Sequence, residues 1–463
     1  MAAESDAFAC GYQYPMSTSI AAGAGRRRRR KPFRDGQNPA AILSAIRYDS
    51  FVVPNEEPCV PSISSELVAR ATAVAAGFVE PIVELASAVA AIPAPTNDET
   101  ERAAFISQTL SRLGFSEVVT DALSNVVGRI PGNRESPALL LAGHTDTVFP
   151  RETPIEVTRN GDILAGPGIG DNSLSVAAVA LVGEALKQLE FKPAVDIFVT
   201  GNVGEEGLGD LRGMRAVMDA LPQVGAAIAV EGHSLGHVTY RAVGSRRLRV
   251  TVTGPGGHSW GDAGRPSAIH ELARLVARLD AIELASDPKT SLNVGVFSGG
   301  ISVNTIAPEA VAVIDMRSVS AESLATLVHE VERLIGELST PGIDVAVEVV
   351  GDRPAGALPS DSGLAPIAIE VLATLGIEAV CDASSTDANI PISRGIPAVC
   401  IGLTTGGNVH RVDEFIRVHP IATGFTQLLL NTILASTALA NGDLRRLGEG
   451  SASASASRKQ GTS

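Results

Sequence analysis

Five short polar segments each follow an apolar, strand-like run, and together they carry residues that could hold metal ions. They are His144-Thr145-Asp146, Gly170-Asp171-Asn172, Gly204-Glu205-Glu206-Gly207, Val230-Glu231-Gly232 and Asn408-Val409-His410. Imidazole nitrogens and carboxylate oxygens are the usual ligands of catalytic zinc. The combination predicts a centre in which two divalent ions promote hydrolysis.

The five ligands divide between two ions that share one carboxylate. We expect Asp171 to be the bridge, because the glycines before it let the backbone turn closely. One ion would bind His144 and Glu231, and the other Glu206 and His410. Three carboxylates against two dications leave one net positive charge, which would stabilise a bridging hydroxide near neutral pH.

Two further carboxylates have expected roles beside the ligands. Asp146 lies two residues after His144, so the two side chains share one face of a strand, and Asp146 can hold the second imidazole nitrogen. Glu205 and Glu206 are adjacent and point to opposite sides of an extended segment, so only one can bind metal readily. We expect Glu206 to bind metal and Glu205 to act as the base that transfers the water proton to the leaving nitrogen.

Taken singly, each segment also fits an ordinary role, such as a surface histidine, a solvated turn or a helix cap. Their joint occurrence at strand ends favours the metal site. Among the other histidines, His233 and His237 are expected to be exposed turn residues. His270 and His329 are expected to be surface or packing residues of amphipathic helices. The position of His419 indicates neither a functional nor a structural role.

The elements around these segments follow an alternating pattern. Strand-like and helical stretches alternate along the chain, which predicts an α/β sheet with covered faces. In open α/β sheets, ligands bind beyond the carboxyl ends of the strands, where the five segments fall. The predicted strands are 125–130, 138–144, 195–203, 226–231, 378–383 and 397–403, and the predicted helices are 64–92, 98–113, 173–189, 211–221, 363–375 and 424–436.

A different pattern interrupts this one between about residues 243 and 350. Its order, β-α-β-β-α-β, is the ferredoxin-like split motif. It is formed by strand 247–253, helix 267–282, strands 292–297 and 310–317, helix 321–338 and strand 344–350. We expect a discontinuous catalytic domain, 63–242 and 356–440, with an inserted α+β domain, 243–355. Residues 1–62 and 441–463 are expected to be a disordered leader and tail.

Composition narrows the class of protein. The chain has 463 residues, 45% hydrophobic and 19% charged, with a net charge of -14, which argues against a nucleic-acid surface over its body. Its four cysteines form no C-x-x-C pair, so we expect free thiols in a reducing compartment, the cytoplasm. No uninterrupted apolar run reaches about 18 residues, so no membrane helix is expected. The run 26–31 is basic, but no apolar signal region follows it.

With these segments in order, the chain resembles the metallopeptidase family of carboxypeptidase G, peptidase T, acetylornithine deacetylase, succinyl-diaminopimelate desuccinylase and aminoacylase. The likeness covers about residues 80–440. It rests on His144-Thr145-Asp146-Thr147-Val148, Gly168-Ile169-Gly170-Asp171-Asn172, Gly204-Glu205-Glu206-Gly207 and Gly407-Asn408-Val409-His410. The resemblance implies a zinc-exopeptidase-like mixed-sheet domain with an inserted lid that often mediates dimerisation. It also implies two zinc ions, with cobalt or manganese as alternatives.

The same resemblance implies roles for residues of the lid. Gly256-Gly257-His258-Ser259 resembles the segment whose histidine polarises the scissile carbonyl, often from the partner subunit of a homodimer. Asn304 and Arg317 resemble residues that hold the substrate carboxylate, to which a guanidinium can bind in a bidentate manner. Asp387-Ala388-Asn389 either supports the metal site or caps a helix.

Three interpretations follow for function. The first is an exopeptidase or dipeptidase of the peptidase T type, weakly favoured by 204–215 and by the Ser384–Asn389 stretch. The second is an N-acyl-amino-acid deacylase of the acetylornithine or succinyl-diaminopimelate type, which would use the same machinery; Glu231, an aspartate in some branches, resembles the carboxypeptidase G and desuccinylase branches. The third is a catalytically silent binding protein, which would have lost Glu205 or a ligand, and neither is lost here.

Overall fold

A computed structural model describes residues 63–359 and 363–444 of the chain. The helices are α1 (Ser65–Ala90), α2 (Thr100–Arg112), α3 (Leu174–Gln188), α4 (Arg212–Ala220), α5 (Ala268–Asp280), α6 (Ala321–Gly336), α7 (Leu364–Thr374), α8 (Asn389–Ser393) and α9 (Ile421–Asn441). The predicted leader, 1–62, and residues 445–463 of the predicted tail lie outside the described residues. Leu444, within that predicted tail, is buried and packs into the core.

The strands are more numerous than the sequence pattern indicated. They are β1 (Ser116–Thr120), β2 (Val126–Ile130), β3 (Ala138–His144), β4 (Thr158–Asn160), β5 (Ile163–Ala165), β6 (Ile197–Asn202), β7 (Val224–Glu231), β8 (His237–Ala242), β9 (Gly244–Thr253), β10 (Gly257–His258), β11 (Thr290–Gly299), β12 (Thr305–Ile306), β13 (Glu309–Ser318), β14 (Asp344–Arg353), β15 (Gly356–Ala357), β16 (Val380–Ser384), β17 (Ala398–Gly402), β18 (Gly406–Gly407) and β19 (Phe415–Arg417). Most of the strands that the pattern missed are short, and two or three residues carry no readable periodicity.

The large sheet has the order β1-β2-β6-β3-β7-β17-β8-β15, with β16 added against β8. Its central strands, β6, β3, β7 and β17, run parallel, and the flanking pairs include antiparallel ones. Helices cover both faces, which is why β3 is buried at all its positions and reads as one apolar run. Leu139 and Leu141 pack towards α1, α3 and α9, whereas Leu140 packs towards α4 and α8.

A second sheet has the order β11-β13-β9-β14, and all its neighbouring strands are antiparallel. Helices α5 and α6 cover one face and enclose a separate hydrophobic core, which includes Leu248, Leu275 and Val331. This is the predicted β-α-β-β-α-β unit, and the mixed α/β fold class is confirmed. We refer to this sheet with α5 and α6 as the lid sheet. The boundaries that we proposed for the inserted domain, 243–355, enclose it.

A small sheet that the sequence pattern did not predict has the order β18-β19-β5-β4. Strand β5 precedes the turn that carries Asp171, and the loop between β18 and β19 carries His410. The pairing of β19 with β5 therefore brings two distant parts of the chain to the same place.

Two helical stretches, Ser65–Ala90 and Ile169–Gln188, are long and apolar enough to cross a membrane by length and composition. Neither is an uninterrupted apolar run, because charged residues such as Arg70 and Glu80 interrupt the first stretch and Asp171 and Glu184 interrupt the second. In this fold the apolar composition has another cause. Most of the second stretch is buried, and α1 packs Phe78, Ile82 and Ala86 into the core beside α3 and α9.

Candidate metal centre

Three of the predicted segments meet because they follow adjacent parallel strands. Strands β6, β3 and β7 lie side by side, so their carboxyl ends form one edge of the large sheet. His144 is the last residue of β3 and Glu231 is the last residue of β7. The turn with Glu205 and Glu206 follows β6, and Gly204 at its start has a φ of 70°, a left-handed conformation that suits glycine.

Asp171 lies between the two histidines and presents one carboxylate oxygen to each. Its Oδ1 is 3.0 Å from His144 Nε2, and its Oδ2 is 3.1 Å from His410 Nε2. On the first side, Glu231 Oε2 is 3.7 Å from His144 Nε2. On the second side, Glu206 Oε1 is 3.0 Å from His410 Nε2. The fold thus brings together all five predicted ligands, in the two predicted groups.

The spacing of these atoms fits metal ions. Two ligands that lie about 2.0–2.2 Å from one tetrahedral ion are roughly 3.3–3.5 Å from each other. The distances between the nitrogen and oxygen atoms of each group, 3.0 to 3.7 Å, surround that value. One ligand atom from each of His144, Asp171 and Glu206 also lies within 4.8 Å of the others. Imidazole and carboxylate donors suit zinc, cobalt and manganese, so the residues present fit a pair of such ions.

The electrostatics of the cluster also favour cations. Burial raises the pKa of Glu206 to about 7, and the nearby charge of Asp171 adds to the effect against the opposing histidines. Burial likewise raises the pKa of Glu231. The hydrogen bond to Asp171 and the charge of Glu206 raise the pKa of His410 to about 9, against the effect of burial. Without metal, the cluster therefore holds extra protons, which divalent ions would replace.

Asp146 is fully buried and connects three parts of the centre. Its Oδ1 accepts the backbone N–H of Glu205 at 2.9 Å, and its Oδ2 accepts the N–H of Glu206 at 2.9 Å and the hydroxyl of Thr96 at 2.8 Å. The predicted contact with His144 needs correction in detail. The nearest oxygen to His144 Nδ1 is the backbone carbonyl of Asp146 at 3.1 Å, and the carboxylate is 3.6 Å away. Asp146 therefore orients the turn of the two glutamates as well as the histidine.

Glu205 and Glu206 have different partners, as their adjacency predicted. Glu206 faces His410, whereas Glu205 Oε1 accepts a hydrogen bond from Arg353 Nη1 at 3.2 Å. Arg353 also donates to the backbone carbonyl of Glu205 and, at 3.1 Å, to Ser385 Oγ. Burial raises the pKa of Glu205 well above its usual value, although His144 and Arg353 oppose this. Arg353 is the last residue of β14 and was not among the predicted site residues.

Comparisons with known proteins identify the family of this chain. Residues 140–433, more than half of the chain, match the family described as peptidase family M20/M25/M40. The chain belongs to this family. Members are metal-dependent hydrolases of peptide or acyl amide bonds, so the enzyme class that the sequence predicted is confirmed.

Relatives within the family differ in their described activities. A putative succinyl-diaminopimelate desuccinylase of Mycobacterium tuberculosis is 28% identical over 346 residues, which cover 73% of this chain and 93% of that protein. A probable carboxypeptidase of Aspergillus clavatus is 28% identical over 309 residues, 61% of this chain and 72% of that protein.

Among solved structures, the aminopeptidase PepT of Bacillus cereus superposes with a TM-score of 0.65 at 20% identity, covering 78% of this chain and 99% of that chain. A tripeptidase of Staphylococcus aureus gives a TM-score of 0.66 at 21% identity, with coverage of 78% and 99%. At these identities the structures establish the shared fold.

In this family member, Asp387 lies behind the metal centre. Its Oδ2 accepts from Asn202 Nδ2 at 2.7 Å, and Asn202 pairs with His144 across β6 and β3. Helix α8, which follows, has no side-chain cap at its start. Asn389 instead donates to the carbonyls of Val243 and Pro354. The side chain of Asp387 therefore contacts a neighbour of His144, whereas Thr386 Oγ1 accepts the N–H of Ala388 at the start of α8.

The predicted lid residues lie at two ends of the lid sheet. Strand β13 begins at Glu309, near the turn with His258 and Asn304, and reaches Arg317 roughly 26 Å later, at about 3.3 Å per residue. At the Arg317 end, Arg247 donates to the carbonyl of Gly207 beside the metal centre.

One small substrate therefore cannot touch both ends in one chain. His258 and Asn304 are exposed, and among the described residues neither has a hydrogen bond or ion pair with the five predicted ligands.

Two expectations for the other histidines also need comment. His233 was predicted to be an exposed turn residue, which is wrong, because its side chain is only 13% exposed and lies 2.9 Å from the buried carboxylate of Glu414. His237 begins β8, is partly exposed and pairs with Asp382. His270 and His329 are exposed on α5 and α6, as one of their two predicted roles requires.

Proposed function

We propose that this chain is a zinc-dependent exopeptidase that cleaves small peptides at a two-metal centre. The observation that supports the proposal most directly is the position of Asp171, whose two oxygens face His144 and His410 separately. Peptides are the first proposed substrate class because residues 384–389 resemble a stretch of peptidase T, and residues 204–215 also weakly favour a peptidase. His144, Asp171 and Glu231 would hold one ion, and Asp171, Glu206 and His410 the other.

Two divalent ions in such a centre supply Lewis acidity and a water of lowered pKa. The side chain that remains for proton transfer is Glu205, since Glu206 is committed to His410. Glu205 would take the proton of the attacking water and return it to the leaving nitrogen. Arg353, which contacts both its carboxylate and its carbonyl, would hold it in place during that transfer.

The lid carries one group suited to a scissile carbonyl, His258, and another suited to a substrate carboxylate, Arg317. His258 Nδ1 accepts from the backbone N–H of Trp260 and of Gly261, each at 3.2 Å, so a neutral ring carries its proton on Nε2. That N–H can donate to the oxygen that becomes negative in the transition state. Arg317 uses its Nε to bind Asp315 at 2.7 Å, which leaves the outer edge of the guanidinium for a substrate carboxylate.

A second candidate is the deacylation of N-acyl amino acids, which the desuccinylase relative at 28% identity favours. The scissile bond is an amide in both reactions, and specificity depends on pocket walls worth only a few kcal/mol. Dipeptides, tripeptides and N-acetyl or N-succinyl amino acids, each tested with zinc, cobalt and manganese, separate the two. Turnover of peptides would support the first proposal. Rapid acyl release without peptide turnover would replace it with the second.

We further propose that the active form is a homodimer. Each subunit would place its turn with His258 and Asn304 at the metal centre of the other subunit. The separation of that turn from Arg317 along β13 supports this arrangement, because a second copy could bring the turn to the metal centre. A mixture of His258→Ala and Glu205→Ala protomers should recover part of the activity, since one of the mixed sites keeps both residues. No recovery after verified subunit exchange would contradict the shared site.

We also propose that the protein is located in the cytoplasm. Cys381 and Cys400, the two cysteines in the described residues, form no disulfide, which is consistent with a reducing compartment. Fractionation of cells that express the full chain would test it.

A further inference from the structure

A buried carboxylate outside the predicted set holds the turn that carries Asp171. Glu414 is 0% exposed, and its Oε1 accepts the backbone N–H of Gly170 at 2.9 Å and of Asp171 at 2.8 Å. Its Oε2 accepts the N–H of Gly168 at 2.9 Å. Three N–H groups of one turn therefore converge on a single side chain, an arrangement that favours a negative charge at their focus.

The turn is closely packed, and hydrogen bonds within it, such as that from the N–H of Ser173 to the carbonyl of Gly168 at 3.2 Å, also hold its shape. Gly168 has a φ of 67°, and a Cβ at Gly170 would lie 2.2 Å from His233 Nε2. The turn is buried around Gly168, Ile169 and Gly170, so a backbone N–H that lost its acceptor would remain unpaired away from water. Such a loss costs about 1–3 kcal/mol for each group. Glu414 thus supplies the acceptors that keep three N–H groups of this conformation paired.

His233 completes the surroundings of Glu414. Its Nε2 lies 2.9 Å from Glu414 Oε1. His233 follows Glu231 at the end of β7, so the contact joins the turn of Asp171 to the strand that carries another candidate ligand.

Glu414 also belongs to the loop that supplies His410. That loop connects β18 to β19, and Asn408 Nδ2 closes it by donating to the backbone carbonyl of Asp413 at 3.2 Å. One short segment therefore provides a candidate ligand, His410, and also accepts a hydrogen bond from the backbone of the shared candidate ligand, Asp171. These two functions need the same placement of the loop.

We infer that Glu414 is a positioning residue that fixes the shared ligand Asp171 between the two ion sites and couples it to the His410 loop. This inference rests on the proposed two-metal centre and adds a residue that holds it. Because Asp171 belongs to both groups, a looser turn should weaken both ions. Loss of a hydrogen-bond partner of a ligand typically lowers metal affinity 10- to 100-fold.

Glu414→Gln is the direct test, because it keeps the shape of the side chain. The amide oxygen can accept from Gly170 and Asp171, but the amide nitrogen then faces the N–H of Gly168, donor against donor. Metal-free parent and variant would be titrated with Zn²⁺ in competition with a chromophoric chelator, and with Co²⁺ by visible absorption. Asp196→Asn is a matched control, since this buried carboxylate accepts the N–H of Gly132 and contacts Arg129 ahead of β6, away from the centre.

We expect the affinity of Glu414→Gln for both ions to be 10- to 100-fold lower than that of the parent. The affinities of Asp196→Asn should stay within threefold of those of the parent. The Co²⁺ spectrum of the variant should also change, which a purely structural loss of stability would not produce. If Glu414→Gln does not fold, His233→Gln decides, with an expected loss of several-fold.

Unchanged affinities in a variant that folds, while the parent binds two ions, would overturn the inference alone. A parent that binds fewer than two ions would overturn the proposed function as well. No substrate is involved, so a wrong substrate assignment does not affect either result.

Discussion

Replacing Asp146 with asparagine should weaken one metal site more than the other. The carboxylate accepts from the backbone N–H groups of Glu205 and Glu206 and from the hydroxyl of Thr96. An asparagine has one oxygen for these donors. The hydroxyl of Thr96 can rotate to accept from an amide nitrogen, so that nitrogen should take the place of Oδ2. The N–H of Glu206 is then left without an acceptor.

The magnitude follows from the bonds that change. One buried N–H without a partner costs about 1–3 kcal/mol, and the bond that remains at Oδ1 loses the strength that ionisation gave it. We therefore expect the metal-free protein to lose about 2–4 kcal/mol of unfolding free energy. Because the disturbed residue is Glu206, the ion shared by Glu206 and His410 should bind 10- to 100-fold more weakly. The ion at His144 and Glu231 should be less affected.

The assay combines urea denaturation of the metal-free protein with stepwise Co²⁺ and Zn²⁺ titration. Asp196→Asn again serves as the control, because it also removes a buried charge that accepts a backbone N–H. The reasoning is refuted if Asp146→Asn keeps both affinities within threefold and its unfolding free energy within about 0.5 kcal/mol, the range of neutral surface changes. Equal weakening of the two ions would contradict the proposed amide orientation.

Three further predictions concern the base, its arginine and pH. Glu205→Gln should lower kcat about 10²- to 10⁴-fold while the protein still binds two ions by elemental analysis; loss of an ion would mean that Glu205 and Glu206 have exchanged roles. Arg353→Lys should lower kcat with little change in KM, because an ammonium cannot make both contacts with Glu205, and an unchanged kcat would count against that role. In the metal-free folded protein the pKa of Glu206, about 7, and that of His410, about 9, lie above the values of the same groups in the unfolded chain, so the folded state binds more protons. The free energy of unfolding should therefore fall as pH rises from about 4.5 to 9. Urea midpoints at pH 5, 7 and 9 test this, and midpoints that rise with pH would contradict it.

The sequence could predict those features that depend on local patterns. Long buried strands such as β3 and β7 are continuous apolar runs, and the polar residues at their ends are visible in the same pattern. The parallel order of neighbouring strands then brings those ends together without further information. For this reason the pattern alone places three of the five candidate ligands, His144, Glu206 and Glu231, at one edge of the sheet. The meeting of Asp171 with His410 depends on the small sheet, which the pattern did not predict.

The residues that the sequence analysis missed act through distant contacts. Arg353 lies 148 positions from Glu205, and Glu414 lies 243 positions from Asp171. Neither has a spacing that indicates its partner, and an arginine after a strand is usually a surface residue. Glu414 did have one indirect signal, since it follows His410 by four residues within the same polar segment. His233 was misjudged because its burial is created by β18 and the Asp171 turn, which are distant in sequence.

The partners of the acidic residues distinguish ligands from supporting residues. Asp146 accepts two backbone N–H groups and lies near the buried Arg102, Glu205 contacts Arg353, and Glu414 accepts three backbone N–H groups beside His233. In each of these three, groups of the protein itself donate the hydrogen bonds that the carboxylate accepts.

The three carboxylates assigned as ligands differ from that set. Within the described part of the chain, the side chains of Asp171, Glu206 and Glu231 are hydrogen-bonded or ion-paired only to His144 and His410. In the metal-free centre, protons supply part of the compensating charge, because the pKa values of His410 and Glu206 are both raised. Three carboxylates this close together can all stay ionised only when further positive charge lies beside them. A pair of divalent ions would supply that charge, so metal binding should stabilise the folded state as well as enable the reaction.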